Sequence, residues 1–274
     1  MAAASHSAPG TQHSALRVGV QLHPQHCTYQ QYRDAVLRME SIGVDSIWNW
    51  DHFYPLYGDP DGAHFEGYTL LAAMAEMTSR AAIACMVTCN SYRNPALLSK
   101  MATTIDHISG GRFILGIGAG WFEREYKVYS YEFGTATTRL HDLEAALPII
   151  KERWAKDQPP PVHGTIPILI GGEGEKITLR ITAQYADGWN GFGGVDNWKH
   201  KNAVLDDWCR KLGRDPRAIE RTASIGAEDL RNLDALADAG CQHVILGFGP
   251  PFDGKPVERL VAWRDQRARA GARA

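Results

Sequence analysis

The sequence predicts a (β/α)8 TIM barrel, an α/β fold built as a single domain. Two observations carry the prediction. Apolar runs of strand length alternate with stretches of helical periodicity along the whole chain, eight of each, the pattern of parallel strands joined by crossover helices. Several strand runs are apolar throughout, as strands are when both sheet faces are covered. The competing arrangement is an open doubly wound sheet. Against it, no strand is followed by Gly-x-Gly-x-x-Gly with an acidic residue about twenty positions on. Gly116-x-Gly118-x-Gly120 comes nearest, but its third glycine falls too early.

In chain order, Leu16–Leu22 leads into the helical stretch Tyr29–Ile42, and Val44–Trp48 into Tyr68–Ser79. Ala82–Thr88 leads into Pro95–Ile108, which Ser109-Gly110-Gly111-Arg112 stops, glycine being the usual residue past a helix end. Phe113–Gly118 precedes Arg139–Trp154, and Pro159-Pro160-Pro161 forms a stiff connector to Ile166–Ile170 and Lys176–Tyr185. Gly188–Phe192 with Trp198–Leu212, Ala218–Ile225 with Leu230–Ala239, and His243–Gly247 with Val257–Ala268 complete the series. No internal repeat or domain boundary interrupts it.

A length of 274 residues suits one large α/β domain, and 44% hydrophobic residues suffice for its core. With 29 basic and 31 acidic residues the net charge is −2, which favours neither nucleic acid nor an anionic membrane as partner. No apolar run approaches the roughly 18–20 residues of a membrane helix. Residues 1–15 lack a basic start and an apolar centre, so they read as a disordered tail ahead of a domain at 16–274, not as a secretory signal. Five scattered cysteines argue against a disulfide framework and for a reduced, cytoplasmic compartment. Cys85 and Cys89 read as inert thiols facing one way on a single strand.

In a barrel the chemistry sits in the loops after the carboxyl ends of the strands. Asn49–Glu66 and Ala119–Thr138 are the longest of these, and long ordered loops are usually functional. The second strand ends in Trp48-Asn49-Trp50-Asp51-His52. A histidine beside an aspartate at a barrel mouth suits proton handling, and Trp48 and Trp50 share a face on which a flat ligand could stack. Alternatively, Asp51 caps the loop and His52 hydrogen-bonds locally. Gly171-Gly172-Glu173-Gly174 opens a helix near Glu175. It reads either as a phosphate site of exposed backbone N–H groups or as a tight turn needing positive φ. Gly247-x-Gly249-Pro250-Pro251 is a weaker phosphate candidate. Around Gly118-Ala119-Gly120, small residues would admit a ligand close to the backbone, with Trp121, Glu125 and Tyr126 as pocket walls. Tyr54, Tyr57, Phe65, Tyr126, Tyr129 and Tyr131 read equally as pocket lining or loop packing.

A metal centre is the rival chemistry. His23-Pro24-Gln25-His26 ends the first strand, but such centres need two histidines facing one way and further His or Asp from later strands. The fifth and sixth strands end in Gly171-Gly172 and Gly191-Phe192-Gly193, and Asp187 lies at the far end of its strand. No metal is expected. His23 and His26 line a pocket or face solvent.

Taken together these segments resemble the luciferase-like monooxygenase superfamily, and within it the coenzyme F420-dependent oxidoreductases. The matching stretches run in family order: Asp45-Ser46-Ile47-Trp48 with Asp51-His52-Phe53 and Pro55; Tyr92-Arg93-Asn94-Pro95 through Lys100; Ile105 through Ser109-Gly110-Gly111-Arg112 to Gly118-Ala119-Gly120-Trp121; Pro167 through Gly171-Gly172; and Ala186-Asp187-Gly188-Trp189-Asn190. The resemblance implies a luciferase-like barrel with the deazaflavin across its mouth. Asp51 and His52 match positions that meet the deazaflavin ring. The stretch Met86-Val87-Thr88 matches a segment that in some relatives holds a non-proline cis peptide behind the ring. Gly120 and Trp121, with Ile170, Gly171, Gly172 and Glu173, match segments that hold the cofactor's side chain and phosphate. The implied activity is hydride transfer between F420 and a small-molecule substrate in a cytoplasmic homodimer, with His52 handling the proton and Asp51 orienting it. An FMN-dependent monooxygenase and a non-catalytic flavin- or deazaflavin-binding protein are the alternatives.

Three departures narrow the reading. Trp121 stands where the sugar-phosphate dehydrogenase branch has an acidic glutamate, and Leu56 stands where that branch has a tryptophan. Trp154–Thr165 also runs straight through, where many relatives insert a hairpin before the fifth strand.

Overall fold

A computed structural model describes residues 16–271; the expected tail, residues 1–15, lies outside them. The strands are β1 (Arg17–Leu22), β2 (Ser46–Asn49), β3 (Ala82–Cys85), β4 (Thr88–Cys89), β5 (Phe113–Gly118), β6 (Ile168–Gly171), β7 (Gly188–Gly191), β8 (Glu220–Ile225) and β9 (His243–Phe248). All pair in parallel, in the order β3-β2-β1-β9-β8-β7-β6-β5-β4, and β3 also pairs with β5, so the sheet closes. The expected barrel is present, with one stave in two pieces. β3 meets β5 at Ile83↔Phe113, whereas β4 meets it at Thr88↔Ile117, and between them the Met86–Val87 peptide is cis. Cys85 and Cys89 therefore do not share one continuous strand. Cys85 packs in the main core, Cys89 against Tyr92 and Tyr126, and both thiols are buried.

The surrounding helices are α1 (Tyr29–Ile42), α2 (Gly67–Met77), α3 (Pro95–Ile108), α4 (Glu123–Val128), α5 (Ala136–Lys156), α6 (Thr178–Tyr185), α7 (Val195–Lys211), α8 (Leu233–Asp238) and α9 (Lys255–Gly271). Local chemistry starts several of them. Thr28 and Gln31 form a capping box on α1, and Asn94 caps α3 ahead of Pro95. The short helix α4 was not expected. It lies within the long loop after β5, and six residues leave no room for a helical apolar period.

Strand alternation divides the core in two. Ile168 and Ile170 point to the helices, while Leu169 joins Trp48, Ala84, Met86 and Ile245 inside the barrel. Burying each Ile or Leu side chain contributes about 1.5–3 kcal/mol. At the amino ends of the strands, Asp45 Oδ2 accepts from the Val18 N–H at 2.8 Å and Asp187 Oδ2 from the Ile168 N–H at 2.9 Å. There too the buried His243 imidazole bonds Ser46 Oγ at 2.8 Å, and the Trp48 indole N–H donates to the same oxygen. Arg112, after the glycine stop, donates to the carbonyls of Ala75, Thr78 and Ala81 and so covers the end of α2. Among the described residues no helix is long and apolar enough to cross a membrane.

Candidate active site

A cavity of about 650 Å³ opens at the carboxyl ends of the strands. The chain leaving β2 supplies Trp50, Asp51 and His52 to its wall. Adjacent side chains leaving a strand point to opposite sides, and Asp51 and His52 find different partners. Asp51 receives a two-pronged Arg93 guanidinium at 2.6 and 2.9 Å and the Cys89 N–H at 3.0 Å. Burial pushes the Asp51 carboxyl up from the ordinary aspartate value, against the downward pull of Arg93. Asp51 thus ties the end of β2 to β4, and it makes no hydrogen bond to His52. The expected Asp51–His52 pair is corrected here.

The partner of His52 is Glu125, on α4. Its Oε2 lies 3.0 Å from His52 Nδ1 and accepts from the Tyr92 hydroxyl at 2.6 Å. Its Oε1 accepts from the N–H groups of Phe53 and Tyr54 at 2.5 and 3.0 Å. Glu125 has no exposed surface. Burial alone would raise its carboxyl, but the bonds and charge of His52, with those of Tyr92 and Phe53, outweigh it and hold the group below the ordinary glutamate value. A carboxylate only accepts, so Nδ1 carries the proton. Nε2 has no hydrogen-bond partner among the described residues, and the ring borders the cavity.

Val87 with Gly118 and Gly171 forms the cavity floor. Val87 lines the cavity immediately after the cis peptide, and the Gln21 amide donates to the Met86 carbonyl at 2.5 Å. A Cβ on Gly118 or Gly171 would come 2.8 Å from a Val87 methyl, so glycine is required for this close approach. Thr88 also borders the cavity, its hydroxyl 2.8 Å from that of Tyr68. Gly120, at φ +80°, turns its carbonyl to Arg139, which donates to it at 3.0 Å and to the Phe133 carbonyl at 2.7 Å.

Arg139 lines the cavity with only 7% exposure, and no carboxylate among the described residues pairs with it. Sequence reasoning had it only as the start of a helix. The available signal was its place in the first turn of α5, where a cation opposes the helix dipole unless an anion is near.

Other expected residues fall outside the cavity wall. Gly171 and Gly172 border it, but Ile170 packs outward in the core. Glu173 accepts instead from the Phe192 N–H at 2.8 Å and from the Asn197 amide, tying the loops after β6 and β7. Helix α6 begins at Thr178, beyond the expected Glu175, without a side-chain cap. The Gly249-Pro250-Pro251 stretch does not border the cavity.

Of the two tryptophans, Trp48 lies wholly buried inside the barrel, and a face of Trp50 is covered by His23 at 4.1 Å and 12°. Trp121 stands at the rim, 5.8 Å from the His52 ring and edge-on to it. Phe53, Tyr92, Tyr129 and Tyr131 pack on one another, and of Tyr54, Tyr57, Phe65, Tyr126, Tyr129 and Tyr131 only Tyr57 borders the cavity; the expected walls Glu125 and Tyr126 are wholly buried behind it. Burial lowers the His23 imidazole to about 4, while His26 faces solvent and bonds the Tyr57 carbonyl. Among the described residues no group of three or more His, Cys, Asp or Glu side chains is arranged to hold a metal ion.

The F420-dependent glucose-6-phosphate dehydrogenase of Amycolatopsis mediterranei (strain U-32) is 30% identical over 143 residues, 52% of this chain and 43% of that enzyme's length. An F420-dependent secondary alcohol dehydrogenase, solved in complex with an F420-acetone adduct, superposes with a TM-score of 0.80 at 17% identity, over 90% of this chain and 97% of the other. The oxygenating constituent of 3,6-diketocamphane monooxygenase from Pseudomonas putida, solved with FMN, superposes with a TM-score of 0.62 at 20% identity, over 77% and 67% of the two chains. The sequence model of the luciferase-like monooxygenases matches residues 9–271. With a closed barrel and a mouth of this construction, the chain belongs to the luciferase-like monooxygenase family.

Proposed function

We propose that this protein is an F420-dependent oxidoreductase that moves a hydride between the deazaflavin and a small organic substrate. The observation that carries the reading is a histidine fixed at one nitrogen and free at the other, on the wall of a cavity that is also lined by Val87 packed against Gly118 and Gly171. The residues fit the cofactor. Val87, Thr88, Gly118, Gly171 and Gly172 offer a surface that a flat ring can approach closely, with Gly120 and Trp121 beside it. Arg139 is an unpaired, nearly buried guanidinium suited to a phosphate. When bound, reduced F420 supplies a two-electron hydride donor that reacts poorly with oxygen.

The chain's own contribution is orientation and proton handling. With Nδ1–H held on Glu125, a neutral His52 accepts a hydroxyl proton at Nε2, and a protonated His52 delivers one to a developing alkoxide. Glu125 acts through His52 as a positioning residue. Asp51, held by Arg93, fixes the backbone at Cys89, next to Thr88 of the floor. The named F420-dependent relatives support the choice of deazaflavin over FMN. Membership of the family supports a homodimer, which size-exclusion with light scattering reads as twice the 30.3 kDa chain.

The test is a fluorescence titration of the purified protein with F420 and, separately, FMN. Micromolar F420 affinity with weak FMN binding is expected. The reverse order assigns the protein to the FMN monooxygenases, and binding of neither overturns the proposed function.

A further inference from the structure

The wall on the His52 side of the cavity is a continuous run of rings. Tyr57 lies 5.9 Å from His23 and 6.1 Å from Trp50, Trp50 lies 5.7 Å from His52, and His52 lies 5.8 Å from Trp121. At the mouth, Tyr57, Trp121 and Phe192 are 63, 62 and 50% exposed. They come from the three separate loops after β2, β5 and β7, and all three border the cavity. Large aromatic side chains converging on one opening leave apolar area in water that a bound ligand would cover.

Charge is sparse on the same lining. Among the described residues its only Asp, Glu, Lys or Arg side chains are Asp51 and Arg139. Asp51 is 1% exposed and already holds Arg93. Arg139 is taken by the cofactor's phosphate on the reading above, on which this inference rests. His23 is kept neutral at pH 7 by burial, its imidazole lowered to about 4. Among the described lining residues no cation beyond His52 itself then remains for an anionic group, and His52 Nε2 is committed to the reacting oxygen; burying a carboxylate or phosphate unpaired is strongly unfavourable.

We propose that the substrate is an uncharged, mainly apolar molecule. Its aromatic or alicyclic body lies along the Tyr57–Trp50–Trp121 wall, and its single ketone or alcohol oxygen meets His52 Nε2. Leu56, on the same lining, adds an aliphatic surface to this side.

The test measures dissociation constants for acetophenone, 4-acetylbenzoate and glucose 6-phosphate by tryptophan fluorescence, with the protein first saturated with F420. Acetophenone is expected to bind at least tenfold tighter than either anion. Tyr57→Ala, at an exposed position that spares the core, is expected to weaken acetophenone about fivefold. An anion that binds as tightly as acetophenone, or no binding of acetophenone up to its solubility, overturns the proposal, as does an unchanged affinity in Tyr57→Ala. The F420 titration that precedes these measurements reports separately on the cofactor. If it fails, Arg139 is left free to meet an anion, and the loss of acetophenone affinity in Tyr57→Ala, measured without cofactor, tests the wall alone.

Discussion

Glu125 Oε2 lies 3.0 Å from His52 Nδ1 although 73 residues separate them. The carboxylate is wholly buried and takes four donors, from His52, Phe53, Tyr54 and Tyr92. This arrangement fixes both the ring plane and the tautomer of His52. Glu125→Gln is satisfied only with its NH2 toward His52 and Tyr92, which forces the His52 proton from Nδ1 to Nε2. We expect unfolding free energy to drop by about 1–3 kcal/mol and turnover to fall about tenfold or more. His52→Ala, by contrast, should cut turnover by about 10²-fold or more while leaving the fold intact. Full activity in His52→Ala would remove the histidine from the chemistry; chemical denaturation and steady-state kinetics on the two variants separate the roles.

Arg139 should discriminate phosphate. Arg139→Gln is expected to weaken F420 binding about tenfold, or roughly 1.4 kcal/mol. The dephosphorylated deazaflavin should bind wild type and variant alike. Parallel titrations with the two compounds check this, and an equal loss for both would place the guanidinium's role in loop structure, through Gly120 and Phe133.

The floor has a steric signature. A Cβ on Gly171 would come 2.8 Å from Val87 Cγ1, so Gly171→Ala should cost about 1–3 kcal/mol and weaken the cofactor. Val87→Ala in the same chain removes the methyl in the way, so the double variant should recover part of the lost stability. A double-mutant cycle in thermal or urea unfolding gives the coupling directly, and additive effects would mean that the two residues do not press on one another.

Acid should destabilise the fold through its buried imidazoles. Burial lowers His243 to about 4, and His23 and His64 likewise. Their folded values lie below the ordinary histidine value, so between pH 6.5 and 4 the unfolded chain binds more protons. Stability is therefore full above pH 6.5 and falls as pH drops toward 4. Each such group contributes a slope of at most about 1.4 kcal/mol per pH unit. For the fully buried His243, His243→Gln should flatten the slope by nearly that amount in urea unfolding at pH 5 and 6. An unchanged slope would mean that the ring takes up its proton without opposing the fold.

The barrel was legible because its strands are short apolar runs separated by helical stretches, a pattern read without tertiary knowledge. The break between β3 and β4 was not, because Met86-Val87 is as apolar as its neighbours and the interruption lies in the backbone. Strand alternation would have excluded Ile170 from the mouth, since Leu169 points inward and Ile170 must then point out. Glu173 lies where expected in sequence, but its carboxylate bonds Asn197, 24 residues on. Adjacency made Asp51 the obvious partner for His52. Only the folded chain brings Glu125 there; its nearness in sequence to Trp121 suggested a pocket wall, whereas its side chain lies buried behind His52 and does not border the cavity.

The carboxylates of Asp45 and Asp187 clip neighbouring strands together, β1 to β2 and β6 to β7. In the closed order these two clips fall on opposite sides of the barrel. These bonds brace the cylinder at the end of the strands away from the mouth, where His243, Ser46 and Trp48 also interlock. The loops carrying Tyr57, Trp121 and Phe192 take no part in these bonds at the far end. Exchanging them would retune which molecules are admitted while the cylinder itself stays shut.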